Sequence, residues 1–445
     1  MKIAVIGGGS TYTPELIEGL IQKEKSLGLD RVVLQDINPA RLEPLSSFSK
    51  RMASHSGAAF LIDSTADLDE ALDGADFVIT QFRVGGQKAR HRDVMLCLKH
   101  NLIGQETVGV GGFAKALRTI PAMMEVCCRI EKRAPKAWLI NFTNPSGLIT
   151  EAVLNETRVR AIGLCNVPME MKMEAARALG VEPGDVRLDY VGLNHLGWVR
   201  RIYIKGVDVT GTVLAFLTSQ ETREPANAGS EVEKGLWQTR KLRGPVNIPD
   251  ISYEPSLLKA LGMIPQFYLR YYYYPEKMLK VLKRARKTRA QEVMEIEEKL
   301  MKIYRDKKNH EKPSLLEKRG GAYYSKAALE LIEAILNDRK EEHIVNVRNS
   351  GSTPDLPSDA VMEIPTIVGR SGASPLPVGQ IEPQIIGLIR QVKAFERLTI
   401  RAGVKNDYNA ALLALISNPL GPPAERAERV LRDIIRVNKL SLAAS

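Results

Sequence analysis

MKIAVIGGGSTYTP, residues 1–14, runs from an apolar segment directly into three glycines, and a helical pattern follows. The segment Ile3–Ile6 has the composition of a buried strand, and Pro14 is typical of the first turn of a helix. Glycines in such a turn let backbone N–H groups approach a pyrophosphate, and the helix N-terminus attracts its negative charge. The order of strand, glycine turn and helix therefore predicts a dinucleotide-binding unit. Four residues of the turn are expected to bind the cofactor: Gly7, Gly9, Ser10 and Thr11.

The next predicted strand ends beside an acidic residue. Its sequence, RVVLQ at residues 31–35, leads into Asp36, at about the spacing where a carboxylate binds the ribose 2′-hydroxyl of NAD. The same carboxylate repels a 2′-phosphate, so Asp36 favours NAD over NADP. Residues 11–14 replace the third glycine of the usual fingerprint, and the alternative is an ordinary glycine turn with a helix-capping Asp36.

The length and the charge of the chain restrict the number of domains and the class of binding partner that can be expected. A chain of 445 residues exceeds one core of ordinary size, so two domains or one elaborated α/β domain are expected. The net charge of +11 is dispersed among 52 acidic residues and no aromatic–basic module is present, which argues against a nucleic-acid partner. An anionic small substrate fits this composition better.

The cysteines and the apolar runs indicate a compartment. The four cysteines show neither a disulfide framework nor zinc spacing, which fits a reducing environment. No apolar run has the length of a membrane span or the pattern of a signal peptide. A cytoplasmic protein without a membrane partner is therefore expected.

Polar or charged side chains follow the other predicted strands. The carboxyl ends of parallel strands meet at one edge of a sheet, so residues at these ends are expected to lie together. Such a convergence predicts an active site. The residues concerned are Gly7 to Ser10, Arg83, Asn144 and Cys165.

The chain changes character after Pro168. A helix is followed by alternating segments between residues 186 and 210 that are typical of antiparallel β-structure. We therefore predict an α/β fold with a Rossmann-like parallel-sheet domain at 1–168 and an α+β domain at 169–445. The polar stretch 219–234 is predicted to be an exposed insertion without an assigned role.

Cys165 and His195 stand at probable strand ends next to the amides Asn166 and Asn194. A thiolate and an imidazole suit a transition ion, and two protein ligands leave positions for a substrate's vicinal hydroxyls. The alternative is a buried cysteine and a hydrogen-bonded histidine, which are common in protein cores.

Seven motifs occur together in one order: GGGSTYTP (7–14), RVGG (83–86), GQET (104–107), NFTNP (141–145), GLCNVP (163–168), GLNHL (192–196) and YLRYY (268–272). With them the chain resembles the NAD- and metal-dependent glycosidases of glycoside hydrolase family four, specifically their 6-phospho-β-glucosidase branch. The resemblance extends from Met1 to Gly351. It implies a lactate/malate dehydrogenase-like architecture, with NAD and a divalent metal, usually Mn, as cofactors. It also implies a phosphorylated disaccharide or β-glucoside as substrate and a homodimer or homotetramer as the assembly. In this family the domain at 169–445 would make the substrate, metal and oligomer contacts.

The resemblance implies roles for individual residues. Cys165 and His195 match the metal ligands, and Tyr268, the first tyrosine of YLRYY, matches the catalytic base. Taken alone, core packing explains the tyrosine cluster equally well. The substrate site of the family matches Arg90, Glu106, Asn144, Asn166 and Arg289, the last of them near the sugar phosphate.

The implied mechanism is an oxidation followed by an elimination. NAD takes a hydride from C3 of the sugar, the metal polarises the ketone, and Tyr268 removes the C2 proton that has become acidic. Elimination expels the aglycone, water adds to the enone, and NADH returns the hydride. A tyrosine with a pKa of about 10 needs positive charge nearby to act as a base at neutral pH.

Asn166 bears on the choice of anomer. In the α-acting branch of the family an aspartate occupies this position and protonates the leaving oxygen, whereas an amide cannot act as a general acid. The sequence therefore favours β-glycosides. A role for Asn166 in capping the turn is compatible with this interpretation.

Two other classes of protein share the predicted dinucleotide-binding features. An NAD-dependent 2-hydroxyacid dehydrogenase shares the N-terminal features, but it needs a proton-relay pair and no thiolate–metal site. A non-catalytic NAD-binding protein has no reason to contain Cys165, His195 and Tyr268 together. Within the family, the alternative is an α-linked or unphosphorylated glycoside.

Overall fold

The computed structural model describes residues 1–219, 248–321 and 323–443. The predicted insertion at 219–234 lies outside these ranges except for Ser219. Among the described helices, none is both long and apolar enough to cross a membrane.

Within the described ranges, the fold is built on a nine-stranded sheet whose parallel part comes from the first 163 residues. The parallel strands are β1 (Lys2–Ile6), β2 (Arg31–Gln35), β3 (Leu61–Thr65), β4 (Phe77–Thr80), β5 (Trp138–Asn141) and β6 (Arg160–Gly163). They lie in the order β3-β2-β1-β4-β5-β6. This is the strand order of a Rossmann fold, so the predicted N-terminal sheet is confirmed.

The helices of this part are α1 (Thr13–Leu27), α2 (Pro39–His55), α3 (Leu68–Leu72), α4 (Gly86–Lys99), α5 (Gly109–Arg133) and α6 (Ser146–Glu156). Helix α1 has a proline in its first turn, Pro14, and ends at Gly28, which adopts a left-handed conformation with φ of 55°. Its apolar residues Leu16 and Leu20 are buried in the same core as Ile3 of β1. Capping signals and apolar spacing thus account for this helix.

A second sheet follows, with four strands among the described residues: β7 (Val186–Leu193), β8 (Leu196–Ile204), β9 (Val207–Asp208) and β10 (Ile264–Pro265). β7 and β8 form an antiparallel hairpin whose two-residue turn is Asn194 and His195. His195 has φ of 62°, which is uncommon for a residue other than glycine. The predicted antiparallel structure is confirmed.

The described helices after residue 166 are α7 (Val167–Leu179), α8 (Thr210–Thr218), α9 (Pro255–Leu261), α10 (Arg270–Tyr273), α11 (Pro275–Arg284), α12 (Arg289–Arg305), α13 (Tyr324–Asn337), α14 (Pro383–Lys405), α15 (Tyr408–Ser417) and α16 (Ala424–Asn438). Short 3-10 turns lie at Pro183–Asp185, Phe267–Leu269 and Ser314–Arg319. Helix α13 packs on α1, and α14 packs on α5 and α6. Both faces of the Rossmann sheet are therefore covered partly by helices from the second half of the chain.

Three late strands extend the Rossmann sheet: β11 (Glu341–Arg348), β12 (Val361–Gly369) and β13 (Gly372–Pro375). β11 joins β6 in antiparallel orientation through the pair Asn346 and Gly163. The sheet is therefore mixed, and the sequence did not predict this extension. Residues far beyond 168 complete the sheet of the first domain, and the division at 168/169 stays a prediction.

Candidate active site

A cavity of about 750 Å³ lies where the parallel strands end. It receives Ile6 from the end of β1 and Gln35 from the end of β2, as expected for the ligand crevice of such a sheet. Two of the predicted site residues, Thr11 and Cys165, are buried and do not line it. The predicted residues that line it are Gly7, Gly9, Ser10, Asp36, Arg90, Glu106, Asn144, Asn166, His195, Tyr268 and Arg289.

The glycine turn has no space for side chains. A Cβ atom on Gly7, whose φ is 92°, would lie 2.8 Å from the Cα of Phe82. A Cβ on Gly9 would lie 2.7 Å from Oδ2 of Asp36. The turn is therefore a bare backbone surface, which a pyrophosphate can approach closely.

Asp36 lies beside this turn. Its Oδ2 accepts a hydrogen bond from the Gly9 N–H at 3.0 Å, and its Oδ1 accepts one from the Asn38 N–H at 2.9 Å. Arg41, which the sequence did not single out, lines the same part of the cavity and donates from Nε to the Gly9 carbonyl oxygen at 3.0 Å. These contacts connect the carboxylate with the turn.

Thr11 lies behind the turn. Its hydroxyl donates to Oε1 of Glu297 at 3.2 Å and accepts from Nε of Arg319 at 2.7 Å. The threonine thus connects the turn to α12 and to the 3-10 turn that ends at Arg319. Its predicted contact with the cofactor stays a prediction.

Glu106 is surrounded by three cations. Its Oε2 pairs with Arg83 and, at 3.2 Å, with Lys115, while its Oε1 pairs with Arg90 at 3.1 Å. Burial opposes ionisation, but the cations outweigh it and hold the pKa of Glu106 well below its usual value. Burial also lowers the pKa of Lys115 to about 7. No local pattern pointed to Lys115, because it is a single lysine within the long helix α5.

Cys165 follows β6, and its sulfur accepts a hydrogen bond from the Val167 N–H at 3.5 Å. Burial raises the pKa of this thiol well above its usual value. His195 is also buried, which lowers the pKa of its imidazole to about 3 and keeps it neutral. Its Nδ1 is buried without a hydrogen-bond partner among the described residues.

A buried carboxyl group supports the hairpin turn that presents His195. Oε1 of Glu363 accepts from the side-chain amides of Asn194 at 3.1 Å and Asn346 at 3.3 Å, and its Oε2 accepts from the Tyr190 hydroxyl at 2.8 Å. Burial raises the pKa of Glu363 to about 7. The sequence did not identify this residue, because its partners are distant along the chain.

The ring of Tyr268 stacks on the imidazole of His195. The two rings are 3.8 Å apart between centroids with an angle of 14° between their planes. Tyr268 is 5% exposed and lines the cavity, as does Arg90. The geometry thus brings the proposed base and one proposed metal ligand together.

Asn166 and Asn144 contribute amides to the same cavity. The Asn166 side-chain amide donates to Oε1 of Glu170, which stands four residues later in the first turn of α7 and also lines the cavity. Burial raises the pKa of Glu170 to about 8. The spacing i, i+4 from a strand-end asparagine is the one sequence signal that points to Glu170.

Arg289 is the first residue of α12 and lines the cavity. One guanidinium nitrogen pairs with Glu292 at 3.0 Å, and the other donates to the Lys318 carbonyl oxygen at 2.7 Å. Its Nε is buried without a partner among the described residues. A donor of this kind is available to an anionic ligand.

Two family models match the chain. The model of family 4 glycosyl hydrolase matches residues 2–181, and that of the family 4 glycosyl hydrolase C-terminal domain matches residues 190–421. A curated relative from Bacillus subtilis (strain 168), named probable 6-phospho-beta-glucosidase, is 40% identical over 448 residues, which cover 99% of this chain and 97% of the relative.

Solved structures are similar over the whole length. The 6-phospho-beta glucosidase from Thermotoga maritima with manganese, NAD+ and glucose-6-phosphate aligns with a TM-score of 0.87 and 37% identity, covering 100% of both chains. Lactate dehydrogenase from Eimeria maxima aligns with a TM-score of 0.53 and 17% identity over 91% of this chain and 95% of that one. The second likeness concerns the fold alone and agrees with the predicted dehydrogenase-like architecture. The sequence motifs, the fold and both family models show that the chain belongs to family 4 of the glycosyl hydrolases.

Proposed function

We propose that this chain hydrolyses 6-phospho-β-glucosides to glucose 6-phosphate and an aglycone, with NAD and a divalent metal, manganese, as cofactors. One observation carries the proposal: a single cavity is lined by the glycine turn and also by His195, Tyr268 and Arg289. A dinucleotide and a phosphorylated sugar therefore have their binding groups in one space. The 40% identical relative from Bacillus subtilis, named probable 6-phospho-beta-glucosidase, supports this substrate class.

The residues present fit both cofactors. The bare backbone at Gly7 and Gly9, with Asp36 beside it, suits NAD. The Nδ1 of His195 has no hydrogen-bond partner within residues 1–219, 248–321 and 323–443. This nitrogen and the thiol of Cys165 suit a transition ion, which requires a neutral imidazole and a thiolate. Cys165 and His195 would hold the metal.

The bound groups supply hydride acceptance at C3 and Lewis-acid polarisation of the sugar oxygens. In this proposal Tyr268 removes the proton at C2, and the charge of Arg90 beside it favours the phenolate. Asn144 and Asn166 orient the sugar hydroxyls through their amides. Water then adds at C1. The site determines the face of the sugar from which water adds, and thereby the anomeric configuration of the product.

Two arginines that line the cavity, Arg90 and Arg289, favour a phosphorylated substrate. Arg289 offers a buried N–H for which the described part of the chain provides no partner, and Arg90 lines the same space. Arginine binds phosphate through charge-assisted hydrogen bonds. Asn166 supports the β-anomer, because an amide in that position cannot protonate the leaving oxygen.

The proposal includes a cytoplasmic location and a homodimer or homotetramer. All four cysteines are free, which fits a reducing compartment. Light scattering on the purified protein, with and without NAD, measures the assembly directly.

The test is hydrolysis of p-nitrophenyl 6-phospho-β-glucoside by chelator-treated, NAD-free protein, with Mn²⁺ and NAD added back separately and together under reducing conditions. We expect activity only when both are present. The matched substrate without phosphate, p-nitrophenyl β-glucoside, is expected to react far more slowly. Activity with neither cofactor, or equal rates on the two substrates, would contradict the proposal.

A further inference from the structure

The proposed elimination needs a proton donor for the aglycone oxygen O1, and none of the residues assigned above has this role. When Tyr268 takes the C2 proton, the C2–H electron pair becomes the C1–C2 double bond and the C1–O1 pair stays on the aglycone oxygen. An alkyl aglycone would then leave as a strongly basic alkoxide, unless an acid protonates O1 in the same step. Asn166 cannot supply this proton.

Among the residues that the structure describes, six carboxyl groups line the cavity: Asp36, Glu106, Glu125, Glu170, Glu297 and Glu317. Glu106 is held as a carboxylate by its three cations. Asp36 is bonded to the glycine turn, and Glu297 pairs with Arg41 beside that turn. Glu125 and Glu317 are exposed to solvent. Among these six, only Glu170 is both partly buried and hydrogen-bonded to Asn166, which is proposed to orient the sugar.

The position of Glu170 follows from the start of α7. Asn166 precedes the helix and Glu170 is in its first turn, so both side chains point from one end of the helix into the same cavity. The Asn166 amide donates to Oε1 of Glu170, which leaves Oε2 as the oxygen that carries the proton. The amide therefore orients an acid one helical turn away.

Burial raises the pKa of the Glu170 carboxyl to about 8, so it holds its proton at neutral pH. The hydrogen bond from Asn166 acts in the opposite direction but is outweighed. The other ionisable groups that face it are Glu174 on the next turn of α7, the Cys165 thiol before the helix, and the Tyr324 hydroxyl of α13. None of these three adds a positive charge that would ionise it.

We propose that Glu170 is the catalytic acid of the elimination: Oε2 transfers its proton to O1 as the C1–O1 bond breaks. The resulting carboxylate then takes a proton from the water that adds to C1, while Tyr268 returns its proton to C2, so the atoms and charges balance over the cycle. This inference rests on the proposed function and names the residue that acts on the aglycone.

Lys115 is the rival donor, since burial gives its ammonium a pKa of about 7 and it also lines the cavity. Its Nζ, however, is 3.2 Å from Oε2 of Glu106 and bonded to it. Loss of Lys115 should therefore weaken the cation cluster around Glu106 for every substrate, independently of the aglycone.

The experiment compares a poor and a good leaving group, methyl and p-nitrophenyl 6-phospho-β-glucoside, on the holoenzyme. For Glu170→Gln we expect kcat/KM on the methyl substrate to fall about 10²-fold or more and that on the p-nitrophenyl substrate by about 3-fold or less. Glu170→Asp should recover part of the loss. Glu182→Gln, which changes an exposed carboxyl that does not line the cavity, is the control and should match the wild type.

Two further readouts separate an acid from a structural role. Exchange of the C2 hydrogen of glucose 6-phosphate in deuterated water should persist in Glu170→Gln, because it needs no leaving group. The decline of wild-type kcat/KM on the methyl substrate above about pH 8 should disappear in this variant.

The outcomes are distinguishable. Equal losses on both substrates in Glu170→Gln, or an aglycone-dependent loss in Lys115→Met instead, would overturn the assignment of Glu170 and leave the proposed function intact. A wild-type holoenzyme that neither hydrolyses the substrates nor exchanges C2 would overturn the proposed function, and the assignment with it.

Discussion

The rings of His195 and Tyr268 lie face to face, with 3.8 Å between their centroids and 14° between their planes. The histidine comes from the turn between β7 and β8, and the tyrosine from the 3-10 turn Phe267–Leu269. Stacking of this kind fixes the plane of the phenol relative to the imidazole. The base and the metal site of the proposed reaction are thus positioned together.

Tyr268→Phe removes the hydroxyl but retains the ring that stacks on His195. We expect kcat for an aryl 6-phospho-β-glucoside to fall about 10²- to 10⁴-fold, because the proposed base is lost. Exchange of the C2 hydrogen in deuterated water should stop as well. Tyr271→Phe is the control, since Tyr271 is buried in the same cluster and does not line the cavity. Undiminished exchange in Tyr268→Phe would assign the base to another residue.

Cys165→Ser and His195→Ala each remove one proposed metal ligand. We expect metal content, measured by elemental analysis after dialysis, to fall well below that of the wild type, and activity to be lost. The Kd for NAD should remain within about 3-fold, because the glycine turn does not depend on either side chain. Cys128→Ser changes an exposed cysteine and should alter neither quantity. Parallel loss of NAD binding in both ligand variants would argue against a separate metal site.

Local signals made part of this structure predictable. Strand β1, its glycine turn and α1 follow from an apolar run, three glycines and a proline that are adjacent in the chain. Residues that follow parallel strands, such as Arg83 and Asn144, could be placed in one cavity because parallel strands end at the same edge. The roles of these residues came from resemblance to a family rather than from spacing.

The remainder depends on contacts between distant residues. Pairing of Asn346 with Gly163 adds three late strands to the Rossmann sheet, and no local pattern near either residue indicates that pairing. Lys115 lies within α5, where a single lysine resembles any polar helix position until the fold buries it beside Glu106. Such residues became visible only once the tertiary structure had placed them.

Gly9→Ala tests the glycine turn. The added Cβ would lie 2.7 Å from Oδ2 of Asp36, so the carboxylate or the backbone must shift. We expect the Kd for NAD to rise by about 10-fold or more, since a displaced carboxylate loses a charged hydrogen bond to the ribose. Titration of NAD by tryptophan fluorescence or calorimetry measures this change. Gly184→Ala is the control, because a Cβ there meets nothing within 4 Å.

Glu363→Gln tests the buried carboxyl behind the hairpin turn. The folded protein raises the pKa of Glu363 from 4.5 to about 7, so between these values the folded state binds a proton that the unfolded state has released. This contribution to stability is complete below pH 4.5 and is lost as the pH rises through about 7. Above that pH the charged carboxylate costs on the order of 3 kcal/mol relative to the neutral form.

A glutamine at position 363 is neutral at every pH. Its oxygen can accept from the amides of Asn194 and Asn346 as before, and its amide can donate to the Tyr190 hydroxyl. We therefore expect the free energy of unfolding of Glu363→Gln, relative to the wild type, to increase by about 2 to 3 kcal/mol between pH 5 and pH 8 in urea titrations. Glu43→Gln, at an exposed helical position, should show a difference that is independent of pH. A constant difference for Glu363→Gln as well would mean that the hydrogen bonds from Tyr190, Asn194 and Asn346 keep Glu363 ionised throughout this range, and that the turn carrying His195 is supported by a carboxylate.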